Sequence, residues 1–186
     1  VAEAKILVTL AKTKKLPLMV DHTYLYTPEV IKIRNIIRSN QLGKVFFIDS
    51  VRTNLGLVQR DSNVIFDLAT HDFSIIDYIF GKAPSAVSAT GFTHQKMRQE
   101  TVAYITAHYP NGLFFHTHVS WLSPAKIRTM IFVGTKRMLV YDDIEPSEKI
   151  KVYDKSISVR ADRRTQYQLR IGYRIGGMTA PHFPIK

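Results

Sequence analysis

The chain has 186 residues, carries a formal net charge of +11 and contains no cysteine, which excludes disulfide frameworks and cysteine metal sites. Its hydrophobic content of 45% is enough for a packed core and argues against a disordered chain. No apolar run reaches the roughly 18 residues of a membrane span, and no signal-peptide pattern opens the chain, so we expect a cytoplasmic protein without a membrane partner.

The basic charge balance is typical of proteins that bind nucleic acids, acidic membrane surfaces or anionic small substrates. No RNA-binding signature or helix-turn-helix pattern accompanies it, so we expect no nucleic-acid partner and interpret most of the charge as solvated surface. The densest arginine region could be a polar strand pair, a mobile tail or a contact for a diphosphate. It contains Arg160, Arg163, Arg164, Arg170 and Arg174.

The first part of the chain predicts alternating helices and strands. Apolar residues recur with a helical period over residues 1–15, and lysines occupy the last turn, where the helix dipole favours cations. Leu16–His22 is a short apolar run that ends in polar residues, which predicts a buried parallel strand. Thr27, Pro28 and Glu29 form a helix start, and this helix is predicted to reach about Asn40.

From Lys44 onward, strand patterns dominate and one helix interrupts them. That helix runs from about Ser62 to Phe80 and ends at Gly81. Tight turns such as Asn111-Gly112 join the later strands, which predicts an α+β fold: a mostly antiparallel open sheet with helices on one face. The predicted strands are 44–56, 85–91, 101–109, 113–121, 127–133, 138–141 and 150–153.

The central helix carries an acid and an imidazole within a mostly apolar stretch, "NVIFDLATHDFSIIDYIFG". Asp67 and His71 are four positions apart and share one face of an α-helix. A neighbouring carboxylate can raise the pKa of a histidine and fix its orientation, and such a histidine could take a proton from a hydroxyl as hydride leaves the same carbon. From the spacing alone, an ordinary helix with polar surface residues is the alternative.

The flanks of this helix carry a resemblance to a known family. The stretch "DLATHD" follows "VDHTYLYTPEV" and "LGKVFFIDSVRTNLG" and precedes "SWLSPAKIRTMIFVGTKRMLVYDDIEPSEKIKVYD". From Val1 to about Tyr173 the chain resembles the Gfo/Idh/MocA family of NAD(P)-dependent sugar oxidoreductases. Ser120–Asp154 is most similar to the branch that oxidises nucleotide-activated amino sugars, the UDP-N-acetylglucosamine 3-dehydrogenase-like members.

The resemblance implies a protein of two domains. Residues 1–22 would be the last helix and strand of a Rossmann NAD(P)-binding domain, and residues 23–186 the substrate-binding and dimerisation domain. The family's Gly-rich phosphate loop and its Glu-Lys-Pro motif do not occur in the 186 residues. No cofactor-binding residue is therefore assigned, NAD and NADP both stay open, and the chain by itself is expected to be inactive.

The resemblance also assigns roles to the central pair. His71 matches the family's catalytic histidine, which would accept the proton of the sugar hydroxyl during oxidation. Asp67 matches the partner acid, which would orient His71 or hold the hydroxyl. Many members have a Gly-Gly pair before the acid and another acid seven positions after it. Ser62-Asn63 and Ser74 stand there in this chain, so the substrate stays open.

Four further residues are candidates for substrate binding. Arg52 and Asn54 lie two apart on one strand and share a face, where Arg52 could pair with a phosphate and Asn54 with sugar hydroxyls or an amide. Ordinary polarity of a sheet surface is the alternative. His22 and Tyr26 follow a predicted strand, and ligands of α/β sheets bind at the carboxyl ends of strands.

Two expectations concern metals and assembly. His116 and His118 alternate on one strand, but no third ligand is evident, so no metal is expected. The family's open sheet commonly packs against a second subunit. Apolar residues expected on an exposed face, namely Phe114, Val119 and Ile131, favour a homodimer or homotetramer.

The sequence therefore predicts a fragment of an oxidoreductase that transfers a hydride between a hydroxyl carbon of a sugar or nucleotide sugar and NAD(P). One alternative is a family member that acts on inositol or a free hexose. Another is a non-catalytic sheet domain that dimerises or binds an anion.

Overall fold

The computed structural model describes residues 2–56, 59, 61–161 and 169–181. Its α-helices are α1 (Ala2–Lys14), α2 (Pro28–Arg38) and α3 (Thr70–Phe80). A 3₁₀ helix, Thr23–Tyr26, precedes α2, and a π-helical turn, Ile65–Ala69, leads directly into α3. No helix of these described segments is long and apolar enough to cross a lipid bilayer.

Eight strands form one open sheet in the order β2-β3-β4-β1-β5-β6-β7-β8. Only the β1–β4 pair is parallel among these neighbours, and the other pairs are antiparallel. This confirms the predicted α+β fold with its mostly antiparallel open sheet. The strands are β1 Val45–Leu55, β2 Ala86–Phe92, β3 Val102–His108, β4 Phe114–Ser120, β5 Leu122–Gly134, β6 Met138–Asp142, β7 Ile150–Ala161 and β8 Leu169–Thr179.

Local signals in the sequence account for α2. The Thr27 hydroxyl accepts a hydrogen bond from the backbone N–H of Val30, at 3.4 Å, and Pro28 occupies the first helical position. One stripe of the helix, Val30, Ile33 and Ile36, is buried against the sheet. Capping and periodicity therefore agree, and the predicted start of this helix is confirmed.

The two faces of the sheet differ in what covers them. On the inner face, α2 and α3 pack onto a core that includes Ile48 of β1 and its cross-strand neighbours Phe115 and Phe132. The opposite, outer face carries the alternate residues of the same strands, which are half-buried or exposed. Apolar members of the outer face include Phe47, Phe114, Ile131, Val133, Met138 and Val140.

The strand predicted at Leu16–His22 is wrong for the described structure. This segment has no strand partner there, and Leu16, Met19 and Val20 are exposed. A strand needs a neighbouring strand to satisfy its backbone groups, and no described strand pairs with this segment.

The expected exposure of Val119 is also wrong, because Val119 is fully buried on the inner face. Side chains alternate along a strand, so residues five apart, such as Phe114 and Val119, point to opposite faces. Phe114 and Ile131 do lie on the outer face.

The strands at the end of the chain extend beyond the predicted ones. β7 runs to Ala161 and pairs with β8, so a strand pair forms in the arginine-rich region, as one of its interpretations predicted. Residues 162–168, with Arg163 and Arg164, lie outside the described residues. Arg174 of β8 and Arg137 both contact the carboxylate of Asp154.

The loop after α2 depends on a close backbone approach at Gly134. A Cβ atom at this position would lie 2.1 Å from the carbonyl oxygen of Leu42. That oxygen accepts the backbone N–H of Lys136 at 2.9 Å, so it is held in place. A side chain at Gly134 therefore requires the backbone to move.

We expect Gly134→Ala to lower the free energy of unfolding by about 1–3 kcal/mol, the usual cost of overpacking. Gly177→Ala is the matched control, because nothing lies within 4 Å of a Cβ atom there. Urea denaturation measures both variants. Equal free energies of unfolding for the two variants would show that the backbone at Leu42 moves aside without loss of stability.

Candidate active site

The central pair lies at a change of helix type. Asp67 belongs to the π turn, and His71 lies in the first turn of α3. A π turn closes hydrogen bonds five residues apart instead of four and occurs often at functional sites. The predicted helix of residues 62–80 is therefore a π turn followed by an α-helix, and regular α-helical spacing does not relate the two side chains.

Asp67 is held by the only tryptophan of the sequence. The indole Nε1–H of Trp121 donates a hydrogen bond to Oδ2 of Asp67 at 2.8 Å, and Trp121 is 1% exposed. No hydrogen bond joins Asp67 to His71 among the described residues. The acid is therefore positioned by the junction between β4 and β5 and not by the imidazole.

His71 is half-buried and lacks a hydrogen bond at one ring nitrogen. Its Nδ1 atom is buried without a partner in the described structure, and its ring meets the ring of Tyr24 edge-on, with centroids 5.1 Å apart. Burial, followed by the charge of Arg52, lowers the pKa of His71 below 6.5, against the smaller opposite effects of Asp72 and Asp67. The neighbouring acids therefore do raise the pKa of His71, but burial and Arg52 outweigh them, and the net shift favours the neutral imidazole.

Beside His71, the helix is tied to the sheet by a buried ion pair. The guanidinium of Arg52 donates from Nε and Nη2 to Oδ1 of Asp72, at 2.9 and 2.6 Å. The other carboxylate oxygen accepts from the hydroxyl of Ser50, at 2.8 Å, and from that of Thr117, at 3.3 Å. Because every side of this carboxylate is occupied, Asp72 can remain charged at 0% exposure.

Arg52 was predicted to bind a substrate phosphate, and the structure places it inside the fold, 3% exposed. Asp72 uses two of its nitrogens, and only Nη1 has no partner among the described residues. Nη1 is itself buried, so Arg52 presents no exposed donor to a ligand in the described structure.

Tyr24 connects this ion pair to a second polar cluster. The Arg52 guanidinium carbon lies 4.6 Å from the centroid of the Tyr24 ring, a cation–π contact. The Tyr24 hydroxyl accepts from Nη1 of Arg128 at 2.8 Å and donates to Oδ2 of Asp143 at 3.4 Å. Burial alone would raise the pKa of Asp143, but hydrogen bonds from Tyr141 and Arg128 hold it below its usual value.

Asn54 lies beside the Trp121 corner. Its Oδ1 is buried without a hydrogen-bond partner in the described structure. A Cβ atom at Gly56 would lie 2.9 Å from that oxygen and 3.1 Å from the indole of Trp121, which places all three residues together. The unpaired oxygen is an acceptor that a ligand hydroxyl or amide could satisfy.

His22 and Tyr26 lie apart from this cluster. His22 lines a cleft of about 430 Å³ along one side of α3, together with Phe66, Thr70 and Asp77. Tyr26 is 67% exposed, and its hydroxyl lies 4.0 Å from the sulfur of Met19. The structure thus brings Arg52 next to His71 and Asn54 next to Asp67, but it does not bring His22 or Tyr26 to either pair.

The two strand histidines lie on the outer face of the sheet. Nδ1 of His116 is 2.9 Å from Oδ1 of Asp49, and the His118 ring stacks on Tyr104 at 4.4 Å between centroids. Within the described segments, no group of three or more histidine and acidic side chains could hold a metal ion.

Sequence reasoning missed three residues of the site: Tyr24, Asp72 and Trp121. A charged residue in the apolar run that follows His71 was a usable signal for Asp72, because such a charge needs a buried partner. Its partner is 20 positions away, and Trp121 is 54 positions from Asp67, so spacing along the chain indicates neither contact.

Residues 30–140 match the GFO/IDH/MocA C-terminal domain, and this match covers more than half of the 186 residues. The chain belongs to the Gfo/Idh/MocA family. The family resemblance inferred from the sequence is thereby confirmed. None of the curated proteins compared with the chain matches it.

Solved structures similar to this Gfo/Idh/MocA domain include an inositol dehydrogenase homologue from Azotobacter vinelandii, complexed with NADH and myo-inositol. It has a TM-score of 0.73 at 16% identity, over 98% of this chain and 48% of that one. UDP-N-acetylglucosamine 3-dehydrogenase GnnA from Acidithiobacillus ferrooxidans has a TM-score of 0.67 at 21% identity, over 82% of this chain and 49% of its own. The chain thus spans about half the length of these proteins, and the likeness is one of fold.

We expect Asp72→Ala to lower the free energy of unfolding by about 3–5 kcal/mol, because it leaves the Arg52 charge buried without its partner. Asp77→Ala, on the exposed side of the same helix, is the control and should change stability by less than about 0.5 kcal/mol. Urea denaturation followed by Trp121 fluorescence measures both. Similar effects of the two substitutions would contradict the anchoring role of Asp72.

Proposed function

We propose that this chain is the substrate-binding part of an oxidoreductase that transfers a hydride between a hydroxyl carbon of a sugar or nucleotide sugar and NAD(P). Membership of the Gfo/Idh/MocA family supports the proposal. The observation that carries it is the placement of His71: a half-buried imidazole in the first turn of α3, between the π turn that holds Asp67 and the buried Arg52–Asp72 ion pair. A general base must be deprotonated at the working pH, and burial lowers the pKa of His71, which favours that form.

In the proposed reaction, His71 takes the hydroxyl proton of the substrate while the C–H bond of the same carbon breaks. A bound nicotinamide would accept the hydride that leaves this carbon. Asp67, fixed by Trp121 at 2.8 Å, would hold the hydroxyl in place and stabilise the imidazolium that forms. The 186 residues contain no G-x-G-x-x-G phosphate loop, so we assign no cofactor-binding residue in this chain.

We further propose that residues 1–22 belong to a nucleotide-binding domain that covers them. The apolar side chains of α1 support this, because α1 has no buried residue and Ile6 is 66% exposed. The apolar segment that follows is equally uncovered, with Met19 at 71% exposure. Such uncovered apolar surface is typical of an interface. A cytoplasmic location agrees with the absence of cysteine.

For the substrate, we favour a nucleotide sugar, with inositol or a free hexose as the alternative. Oδ1 of Asn54 and Nη1 of Arg52 are both buried without a hydrogen-bond partner in the described structure, and a ligand that reached them would need a donor for the first and an acceptor for the second. UDP-N-acetylglucosamine 3-dehydrogenase and an inositol dehydrogenase homologue both share the fold. Substrate contacts by His22 and Tyr26 remain part of the proposal, through the cleft beside α3 in the case of His22.

In the full-length protein, we expect His71→Ala to lower turnover by about 10²–10⁴-fold, the usual contribution of a general base. Because burial lowers the pKa of His71, the wild-type oxidation rate should fall at acid pH with a midpoint below 6.5. Steady-state kinetics with UDP-sugars, polyols and hexoses measures the effect and separates the substrate classes.

His94→Ala is the matched control, because His94 is exposed and distant in sequence from the site, and its turnover should equal that of the wild type. If His71→Ala retains wild-type turnover with its fold intact, His71 is not the base. That result would favour a non-catalytic binding domain.

We also propose that the outer face of the sheet forms a homodimer or homotetramer. Its apolar residues are contiguous across four strands, since Phe47 neighbours Phe114 on β4 and Val133 on β5, and Ile131 neighbours Val140 on β6. No described helix packs on this face, because the core clusters that contact the helices are all on the other side. A contiguous apolar sheet face is self-complementary in a symmetric pair.

We expect Ile131→Glu to weaken self-association at least about tenfold, because it places a second carboxylate beside Asp49, its cross-strand neighbour on this face. Val87→Glu is the control, since Val87 is exposed on the edge strand β2 and faces the other side of the sheet. Sedimentation velocity across protein concentrations measures both. A wild-type chain that stays monomeric at tens of micromolar would contradict the proposed interface.

A further inference from the structure

We propose that Tyr24 is a positioning residue for His71: its ring, fixed at both ends, sets the orientation of the imidazole and keeps water from one side of it. This inference rests on the proposed role of His71 as proton acceptor. The contacts of Tyr24 with its neighbours, however, exist without substrate and can be tested without measuring a reaction.

No hydrogen bond to Nδ1 orients the His71 ring in the described structure. Catalytic histidines are usually held by a carboxylate or carbonyl at the second ring nitrogen, which fixes the tautomer and the ring plane. Here Nδ1 is buried without a partner, and the acid that could serve, Asp67, accepts from Trp121 instead. The orientation must therefore come from packing.

The packing partner is Tyr24. Its ring meets the imidazole edge-on at 5.1 Å between centroids and at an interplanar angle of 63°, a geometry that aromatic rings prefer. An edge-on contact restrains the rotation of the imidazole about its χ2 angle, since turning the ring brings its face against the neighbour. The contact thus supplies the restraint that a hydrogen bond would otherwise provide.

Tyr24 is itself held from two directions. The guanidinium of Arg52 lies over its face at 4.6 Å, and Arg52 is in turn fixed by Asp72. Its hydroxyl is held by Arg128 at 2.8 Å and by Asp143 at 3.4 Å. Because residues of β1, α3 and β5 hold it directly or through one another, the Tyr24 ring can provide a fixed surface against the imidazole.

The Tyr24 ring also affects the pKa of His71. Burial is the largest influence on the imidazole, and removing the Tyr24 ring would admit water. The charged groups near His71 would still be present after this change. Water would weaken the effect of each of them on the pKa of the imidazole, both those that lower it and those that raise it. These groups are Arg52 on β1, Arg128 on β5, and Asp67 and Asp72 in the helix segment of His71 itself.

The test follows the imidazole of His71 by proton NMR in the 186-residue chain, with His71→Asn to assign its resonance. We expect a pKa below 6.5 in the wild type. Tyr24→Leu should move it upward by roughly half a pH unit or more, because the buried state is lost. Tyr24→Phe, which keeps the ring, should stay closer to the wild type.

Tyr173→Leu is the matched control, since Tyr173 is 71% exposed on β8, and it should leave the titration unchanged. Trp121 fluorescence reports whether each variant is folded. A folded Tyr24→Leu with the wild-type titration would overturn the proposal. If Tyr24→Leu fails to fold, cross-relaxation between the ring protons of Tyr24 and His71 in the wild type decides: its presence supports the contact and its absence overturns it.

Kinetics of the full-length protein add a second readout. Tyr24→Leu should lower kcat about 10–100-fold, leave KM within about threefold, and move the acid limb of the pH profile upward, as expected for a misplaced base. An unchanged kcat and acid limb would overturn the positioning role. The two proposals fail separately: full turnover of His71→Asn would remove the proposed base, whereas an unmoved titration in Tyr24→Leu would remove only the role of Tyr24.

Discussion

The buried ion pair between Arg52 and Asp72 is the contact on which the rest of the site depends. It joins β1 to α3 where neither side chain reaches water, with exposures of 3% and 0%. Two charges withdrawn from solvent are tolerated only when hydrogen bonds satisfy them, and Ser50 and Thr117 complete the carboxylate. Because Asp72 directly follows His71, the same contact determines where the imidazole lies relative to the sheet.

Beside this ion pair, Asp67 and His71 are positioned by different residues, although the sequence pattern suggested that they form one unit. Asp67 was expected to orient His71 or to hold the substrate hydroxyl; in the structure it accepts a hydrogen bond from Trp121, and the ring that contacts the imidazole is that of Tyr24. Burial lowers the pKa of His71, and this suits its proposed role as proton acceptor. The π turn between them allows this arrangement, since it interrupts the regular stacking of side chains along the helix.

Most of the fold followed from local patterns, whereas much of the site did not. Capping at Thr27 and alternation along β1 and β4 predicted α2 and the strands, because these signals act between near neighbours. Leu16–His22 failed because a strand requires a partner that the pattern alone does not guarantee. The contact between Tyr24 and Asp143 joins residues 119 positions apart, and such pairs depend on how the strands are ordered in the sheet.

The position of Tyr24 along the chain has a mechanical consequence. It lies in the 3₁₀ helix that begins one residue after His22, so a single short turn connects the exposed apolar segment to the ring that touches the imidazole. Contact between that segment and the proposed nucleotide-binding domain would therefore restrain the turn that carries Tyr24 and, through its ring, the imidazole of the proposed base. The position of that domain and the orientation of His71 would then be linked through the backbone alone.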